Sequence, residues 1–254
     1  MPLPNLEKII PIFDVVIPST QETVKFRPFL VKEEKLLLIA LDGADEKEML
    51  QAVVQVIADC AMSPLKVDSL ANFDLEYIFL QLRARSVNDV VELSYRCMNI
   101  EKEGVDGKSP VLCNNIVKVN INLQNVQVQF NPMHTKTIYL TDTMGMTLRY
   151  PNSVMAKKLF VPKSKIEEQK VNLNDAISSI AMCVESVFDE TSVYSNFQAK
   201  EITEWIEKLT QHQFAKIQEF FETMPKLAYD VPFKCGKCDH QDTIHLEGLA
   251  AFFG

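Results

Sequence analysis

Val231-Pro-Phe-Lys-Cys235-Gly-Lys-Cys238-Asp-His-Gln-Asp-Thr-Ile-His-Leu246 is the stretch on which the reading of this chain turns. A strand leads into Cys-x-x-Cys with Gly236 inside the turn, and a second strand leads out, so two thiolates converge on one point in the manner of a zinc knuckle. One knuckle offers two ligands, whereas a structural zinc takes four. The remaining pair is expected from Cys97 and Cys113. Tyr95-Arg96-Cys97 and Phe233-Lys234-Cys235 each run aromatic, base, cysteine. Val119 and Ile121 lie six and eight residues after Cys113, as Ile244 and Leu246 lie six and eight after Cys238. The two segments therefore read as one strand-Cys-turn-Cys-strand unit used twice. In the first copy the turn has grown to Met98 through Leu112, a charged stretch with Gly104, Gly107 and Pro110, whose ends can stay close while its middle extends.

On this reading Cys97, Cys113, Cys235 and Cys238 make a split zinc ribbon that joins the middle of the chain to its end. Four cysteines leave no open coordination position, so one zinc per chain would be structural. Two alternatives stay open in the sequence. A local site of Cys235, Cys238, His240 and His245 uses nearby residues. It leaves a single residue between Cys238 and His240, where a two-Cys-two-His finger has about a dozen. A metal-free reading makes Cys97 and Cys113 buried thiols and Cys235/Cys238 a redox pair.

Outward from this element, Phe13 to Ile17 and Val24 to Val31 read as strands joined by a polar turn, followed by a helix opening at Lys32-Glu33-Glu34. Asp45 and Glu48 have capping-box spacing ahead of Met49, Val53, Val56, Ile57 and Cys60, which recur at steps of 3 and 4. A further helix from Asn72 is striped by Phe73, Tyr77 and Leu80. From about Asn88 the period changes to two: Val117, Val119, Ile121 and Leu123 form one alternating run, and Val126, Val128 and Phe130 another. Ile138 to Thr141 and Thr147 to Tyr150 flank Asp142-Thr143-Met144-Gly145, a hairpin connection with glycine expected at a positive φ. Pro162 to Gln169 is the best linker candidate, dividing the chain into lobes 1–161 and 162–254 or joining them as one continuous domain. Beyond it everything reads as helical, with stripes at Ile177, Ile180, Ala181, Val184 and Phe188, and at Phe214, Ile217, Phe221 and Met224. Trp205 falls on a short helix between them. Strands and hairpins segregated from amphipathic helices predict an α+β fold.

Composition narrows the function. With 47% hydrophobic residues over 254 positions, the chain can bury a substantial core. No apolar run approaches the roughly 20 residues of a membrane-spanning helix. Six cysteines are too sparse for a secreted disulfide scaffold and fit a reducing compartment, with Cys60 and Cys183 as buried thiols. A net charge of −8 without a Lys/Arg run argues against a nucleic-acid partner. Phosphate-cradling glycine loops, a G-x-S-x-G elbow and H-E-x-x-H are all missing from the sequence, and His134 and His212 stand alone. Glu33-Glu34 and Asp45-Glu46 begin helices, where carboxylates complement the helix dipole. A binding protein rather than an enzyme is expected.

Four phrases stand out in order: Lys25 to Lys35, Asn72 to Tyr77 running on to Leu82 to Ser86, Ile138 to Pro151, and Cys235-Gly-Lys-Cys238 with Leu246 to Leu249 and Phe252-Phe253. Together they resemble the baseplate hub proteins of T-even-type contractile-tailed bacteriophages. The resemblance runs from about Lys25 onward. It implies a non-catalytic hub component or hub assembly factor, made in the host cell cytoplasm, with a place in the virion tail baseplate and other phage hub proteins as partners. The family's cysteine turns are tighter than the one from Cys97 to Cys113. A zinc-ribbon regulatory or nucleic-acid-associated protein is the alternative. Leu246, Leu249, Phe252 and Phe253 would share one face if the tail turned helical, either docked on the chain's own core or offered to a partner.

Overall fold

The computed structural model describes residues 9–43, 45–102, 110–155 and 173–252. At its N-terminal end β1 (Phe13–Val16) and β2 (Thr23–Phe26) form an antiparallel hairpin in which Phe13 faces Phe26. Their alternation sends Val15, Val24 and Phe26 inward. The next helix, α1 (Val31–Asp42), starts where the Glu33 carboxylate accepts the Leu30 N–H at 2.7 Å and pairs with Arg27 at 2.8 Å. Asp45 caps α2 (Glu46–Cys60) by accepting the N–H groups of Lys47 and Glu48 at 2.7 and 3.4 Å.

Helix α3 (Asn72–Ser86) is the central strut, and it has two apolar faces where the sequence reading found one. Phe73, Leu80 and Ala84 lie within about 40° of one another on the helical wheel and face the ribbon core. Leu75, Ile78, Phe79 and Leu82 occupy the opposite side and pack with the first hairpin and α2. A helix hydrophobic on both sides is a buried one. The fully buried Asp74 is satisfied locally: it accepts from Ser19 N at 2.9 Å, Ser19 Oγ at 2.5 Å and Ala71 N at 3.2 Å, which ties the β1–β2 turn to the helix start, whereas Asn72 Oδ1 and Gln81 Nε2 are buried without a hydrogen-bond partner among the described residues.

Two ribbons follow the expected alternation. In the first, β3 (Val90–Arg96) pairs with β6 (Ile116–Asn122). The expanded loop between them carries its own short pair, β4 (Ile100–Lys102) with β5 (Val111–Leu112). In the second, β7 (Gln127–Gln129), β12 (Lys226–Lys234) and β13 (Gln241–Glu247) form a sheet in the order β13-β12-β7. β8 (Thr137–Tyr139), β9 (Gly145–Leu148), β10 (Val184–Phe188) and β11 (Val193–Tyr194) form a further sheet in the order β11-β10-β9-β8. Helices α4 (Leu173–Cys183), α5 (Ala199–Ile206) and α6 (Gln211–Thr223) pack with this sheet around Ile138, Met146, Ile180, Ile202 and Ile217. Every strand pairing among the described residues is antiparallel, and the fold is α+β.

Three local expectations need correction. The stripe from Ile177 to Phe188 is not one helix: α4 stops at Cys183 and the chain continues as β10, paired with β9. A spacing of four places two side chains on one face of a helix and equally of a strand, so Val184 and Phe188 fitted either period. Gly145 does not adopt a positive φ. Glycine is needed there because a Cβ would collide with the Ile138 carbonyl oxygen and come within 2.5 Å of Phe188 Cζ. The tail is no extension of a helix either. After Leu246, which is still in β13, Gly248 turns at φ +73° and Leu249–Phe252 forms a single 3₁₀ turn. The linker candidate at 162–169, the lobe boundary at 161/162 and Phe253 lie outside the described residues.

Candidate metal centre

The two half-sites share the backbone hydrogen bonds that close each turn. β3 and β6 close with Arg96 opposite Ile116, and β12 and β13 with Lys234 opposite Gln241. Past those pairs, the Cys97 N–H donates to the Asn115 carbonyl at 2.8 Å, and the Cys235 N–H donates to the His240 carbonyl at 2.8 Å. The returning bond is also duplicated: Asn114 N–H to Cys97 O at 3.0 Å, Asp239 N–H to Cys235 O at 2.9 Å. Asn114 and Asp239, each directly after the second cysteine, are left-handed at φ 52° and 57°. Asn and Asp tolerate that conformation better than most residues. The two ribbons meet through Tyr95 and Phe233, whose rings lie 5.2 Å apart at 58°. Fifteen intervening residues in the first loop thus leave the knuckle geometry intact, because β4 and β5 zip the loop's ends together.

The four sulfurs converge. All lie within 4.8 Å of one another, with Cys97 Sγ 3.7 Å from Cys238 Sγ and Cys113 Sγ 3.8 Å from Cys235 Sγ. These are not disulfides, whose sulfurs sit about 2.05 Å apart. A tetrahedron of thiolates at the zinc–sulfur distance of about 2.3 Å has edges of about 3.8 Å; the two closest pairs match that edge, and the donor set fits a tetrahedral metal once the wider separations contract. Each closest pair joins one cysteine from each half-site, so an ion held here would tie mid-chain to C-terminus.

The surroundings act on the thiols in opposite directions. Backbone N–H groups of Cys238 and Lys237 aimed at Cys235 push its thiol down to about 6. Burial acts the other way on Cys113 and raises it to about 12 in the absence of a metal. Two side-chain amides also reach the sulfurs: Asn99 Nδ2 donates to Cys238 Sγ at 3.6 Å, and Asn115 Nδ2 to Cys235 Sγ at 3.4 Å. Sequence reasoning passed over both asparagines. The available signal was the phrase Cys-x-Asn, present as Cys97-Met98-Asn99 and Cys113-Asn114-Asn115.

The histidines of the local alternative are engaged elsewhere. His245 Nδ1 lies 2.6 Å from Asp230 Oδ1 on the outer face of β12–β13, and His240 Nε2 lies 3.8 Å from Asp242. Neither belongs to the group of potential ligands found among the described residues. His134 contacts Thr223 Oγ1 through Nδ1 at 3.0 Å and stacks on Tyr150. Cys60 and Cys183 are buried away from the centre, and desolvation raises both thiols to about 11.

Among the described residues no helix is long and apolar enough to cross a membrane. No curated protein and no solved structure matches the chain significantly. One family does match, described as T4 bacteriophage base plate protein, and its match covers residues 10–254. It takes in the first hairpin, which the phrases from Lys25 onward left out, and it includes both half-sites. By that match the chain belongs to the T4 bacteriophage base plate protein family.

Proposed function

We propose that the protein is a component or assembly factor of the central hub of the phage baseplate. In this reading Cys97, Cys113, Cys235 and Cys238 hold one structural zinc. Its family is one of structural baseplate proteins, so the chain is not an enzyme and its partners are other baseplate components. The convergence of four cysteines from two distant segments carries the zinc assignment. Thiolates are soft ligands, and a tetrahedral all-sulfur set selects zinc or iron–sulfur chemistry over magnesium or calcium. With every position filled by protein, the ion has no place for water or substrate, and its contribution is to folding.

Contacts with other proteins are supported by α1. Its Glu33 and Ala40 face inward, yet Leu38, Ile39 and Leu41 on its remaining sides are 59%, 61% and 65% exposed. The run Leu36 to Leu41 thus leaves the second half of the helix apolar on its solvent side, a patch of the kind a partner covers. Assembly takes place in the cytoplasm of the infected cell, and the hub is the destination. The test is recovery of the tagged chain from infected cells followed by quantitative mass spectrometry, in parallel with analysis of purified tails. Hub subunits enriched with the tagged chain are the expected result. Enrichment of peripheral baseplate or tail-fibre proteins without hub subunits contradicts the hub assignment.

A further inference from the structure

The two Cys-x-Asn phrases do more than repeat. Each asparagine stands two residues after a cysteine of the first half-site, yet each donates to a sulfur of the second: Asn99 to Cys238 at 3.6 Å and Asn115 to Cys235 at 3.4 Å. In return, Lys237 of the second half-site donates through Nζ to the Cys113 carbonyl at 3.0 Å. Four thiolates around a divalent ion carry a net charge of about −2, in a chain already at −8. Charge of that kind is stabilised by donors, and hydrogen bonds to charged acceptors are among the stronger ones. Of the four cysteines only Cys238 is partly exposed; the other three are buried. Attack by an electrophile or a competing ligand must begin at that sulfur, and Asn99 is the side chain that donates to it.

We infer that Asn99 and Asn115 are positioning residues for the metal shell: their amides clamp the second half-site onto the first, and Asn99 shields the Cys238 thiolate from attack. This rests on the four-cysteine reading above. An N–H bond to a coordinated thiolate withdraws electron density and lowers its nucleophilicity without altering the charge of the site. Outer-shell partners of this type are worth about 10- to 100-fold in metal affinity. The neutral amide suits the role better than a lysine would, because it is planar, short and fixed by the turn that bears it: Asn99 O accepts from Cys113 N at 2.8 Å and Asn115 O from Cys97 N at 2.8 Å.

The test uses the full chain loaded with zinc, and separately with cobalt. Asn99→Asp keeps the side chain's shape while replacing its donor with an anionic acceptor; Asn99→Ala removes it; Asn115→Asp repeats the change at the buried pair. Zinc release to a chromogenic chelator is followed during treatment with iodoacetamide, with the first alkylated cysteine located by peptide mass spectrometry. Release about 10- to 100-fold faster from Asn99→Asp, beginning at Cys238, is expected. The sulfur-to-cobalt charge-transfer band should also move to lower energy in Asn99→Ala, since an undonated thiolate is easier to oxidise. Release rates and a cobalt band equal to the parent's in both Asn99 variants overturn the inference and leave the metal site standing. A parent chain that binds neither metal overturns the site and the inference together.

Discussion

Phe252 gives the sharpest stability prediction, because its position decides what the apolar tail is for. Its ring is fully buried in the ribbon core beside Leu80, Ile121 and Leu246, held by a 3₁₀ turn whose Phe252 carbonyl accepts from Arg83 Nη1 at 3.2 Å. A buried phenylalanine removes about 150–250 Å² from water, which at about 25 cal/mol per Å² gives about 4–6 kcal/mol. Alanine retains a methyl and the unfolded chain already hides part of that area, so the lower end applies to transfer. The incompletely collapsed cavity restores some of the difference, and Phe252→Ala should cost about 3–5 kcal/mol. For a chain of this size that corresponds to a fall in Tm of roughly 6–20 °C. The carbonyl bond to Arg83 survives the substitution, so the loss reports packing alone. Thermal melts and urea titrations at one fixed free zinc concentration measure it, since bound metal shifts the midpoint by mass action. A loss below about 1 kcal/mol with an unchanged urea slope would refute the packing of the tail on its own core and favour a binding hook.

Two other substitutions probe separate parts of the fold. Gly145→Ala should destabilise the β8–β9 hairpin by about 1–3 kcal/mol through overpacking against Ile138 and Phe188, with no penalty from φ; wild-type stability in chemical denaturation would show that the strands part freely. Glu76 lies under the C-terminal turn, where burial pushes its carboxyl up to about 7 despite the hydrogen bond from the Leu249 backbone, with Glu247 adding to the rise. A carboxyl raised in the folded state makes its full contribution below the unfolded value of about 4.5 and loses it as pH rises through about 7. Glu76→Gln, which stays neutral, should therefore raise stability by on the order of 1–3 kcal/mol at pH 8 and leave it unchanged near pH 4.5. An equal effect at both pH values in paired melts contradicts the assignment.

Much of the centre was legible because it is written as a local phrase twice. The aromatic-base-cysteine entry and the hydrophobic residues six and eight positions after the second cysteine are both direct consequences of strand pairing around a turn. The expanded first loop did not obscure them, since β4 and β5 preserve the ends. Asn99 and Asn115 stayed hidden because their partners are 139 and 120 residues away, and no periodicity marks a side chain that donates across an interface. Helix α3 was read as one-sided because the stripe Phe73, Tyr77 and Leu80 already meets the helical period, whereas Leu75, Ile78, Phe79 and Leu82 form a second apolar face that packs into another core. The α4–β10 junction failed on the degeneracy of a four-residue step. Gly145 was assigned the commoner reason for a glycine in a hairpin, whereas what excludes a Cβ is close approach, by the Ile138 carbonyl across the hairpin and by Phe188 from a strand 43 residues further along.

The central claim is that four cysteines from two ribbons hold one ion, and native mass spectrometry of the chain purified without chelator measures it directly. One zinc per chain is expected, lost alike from Cys97→Ser and Cys238→Ser, since removal of any ligand opens the same shell. A metal-free parent chain, or zinc kept by Cys97→Ser and lost only from Cys238→Ser, would contradict the four-cysteine centre.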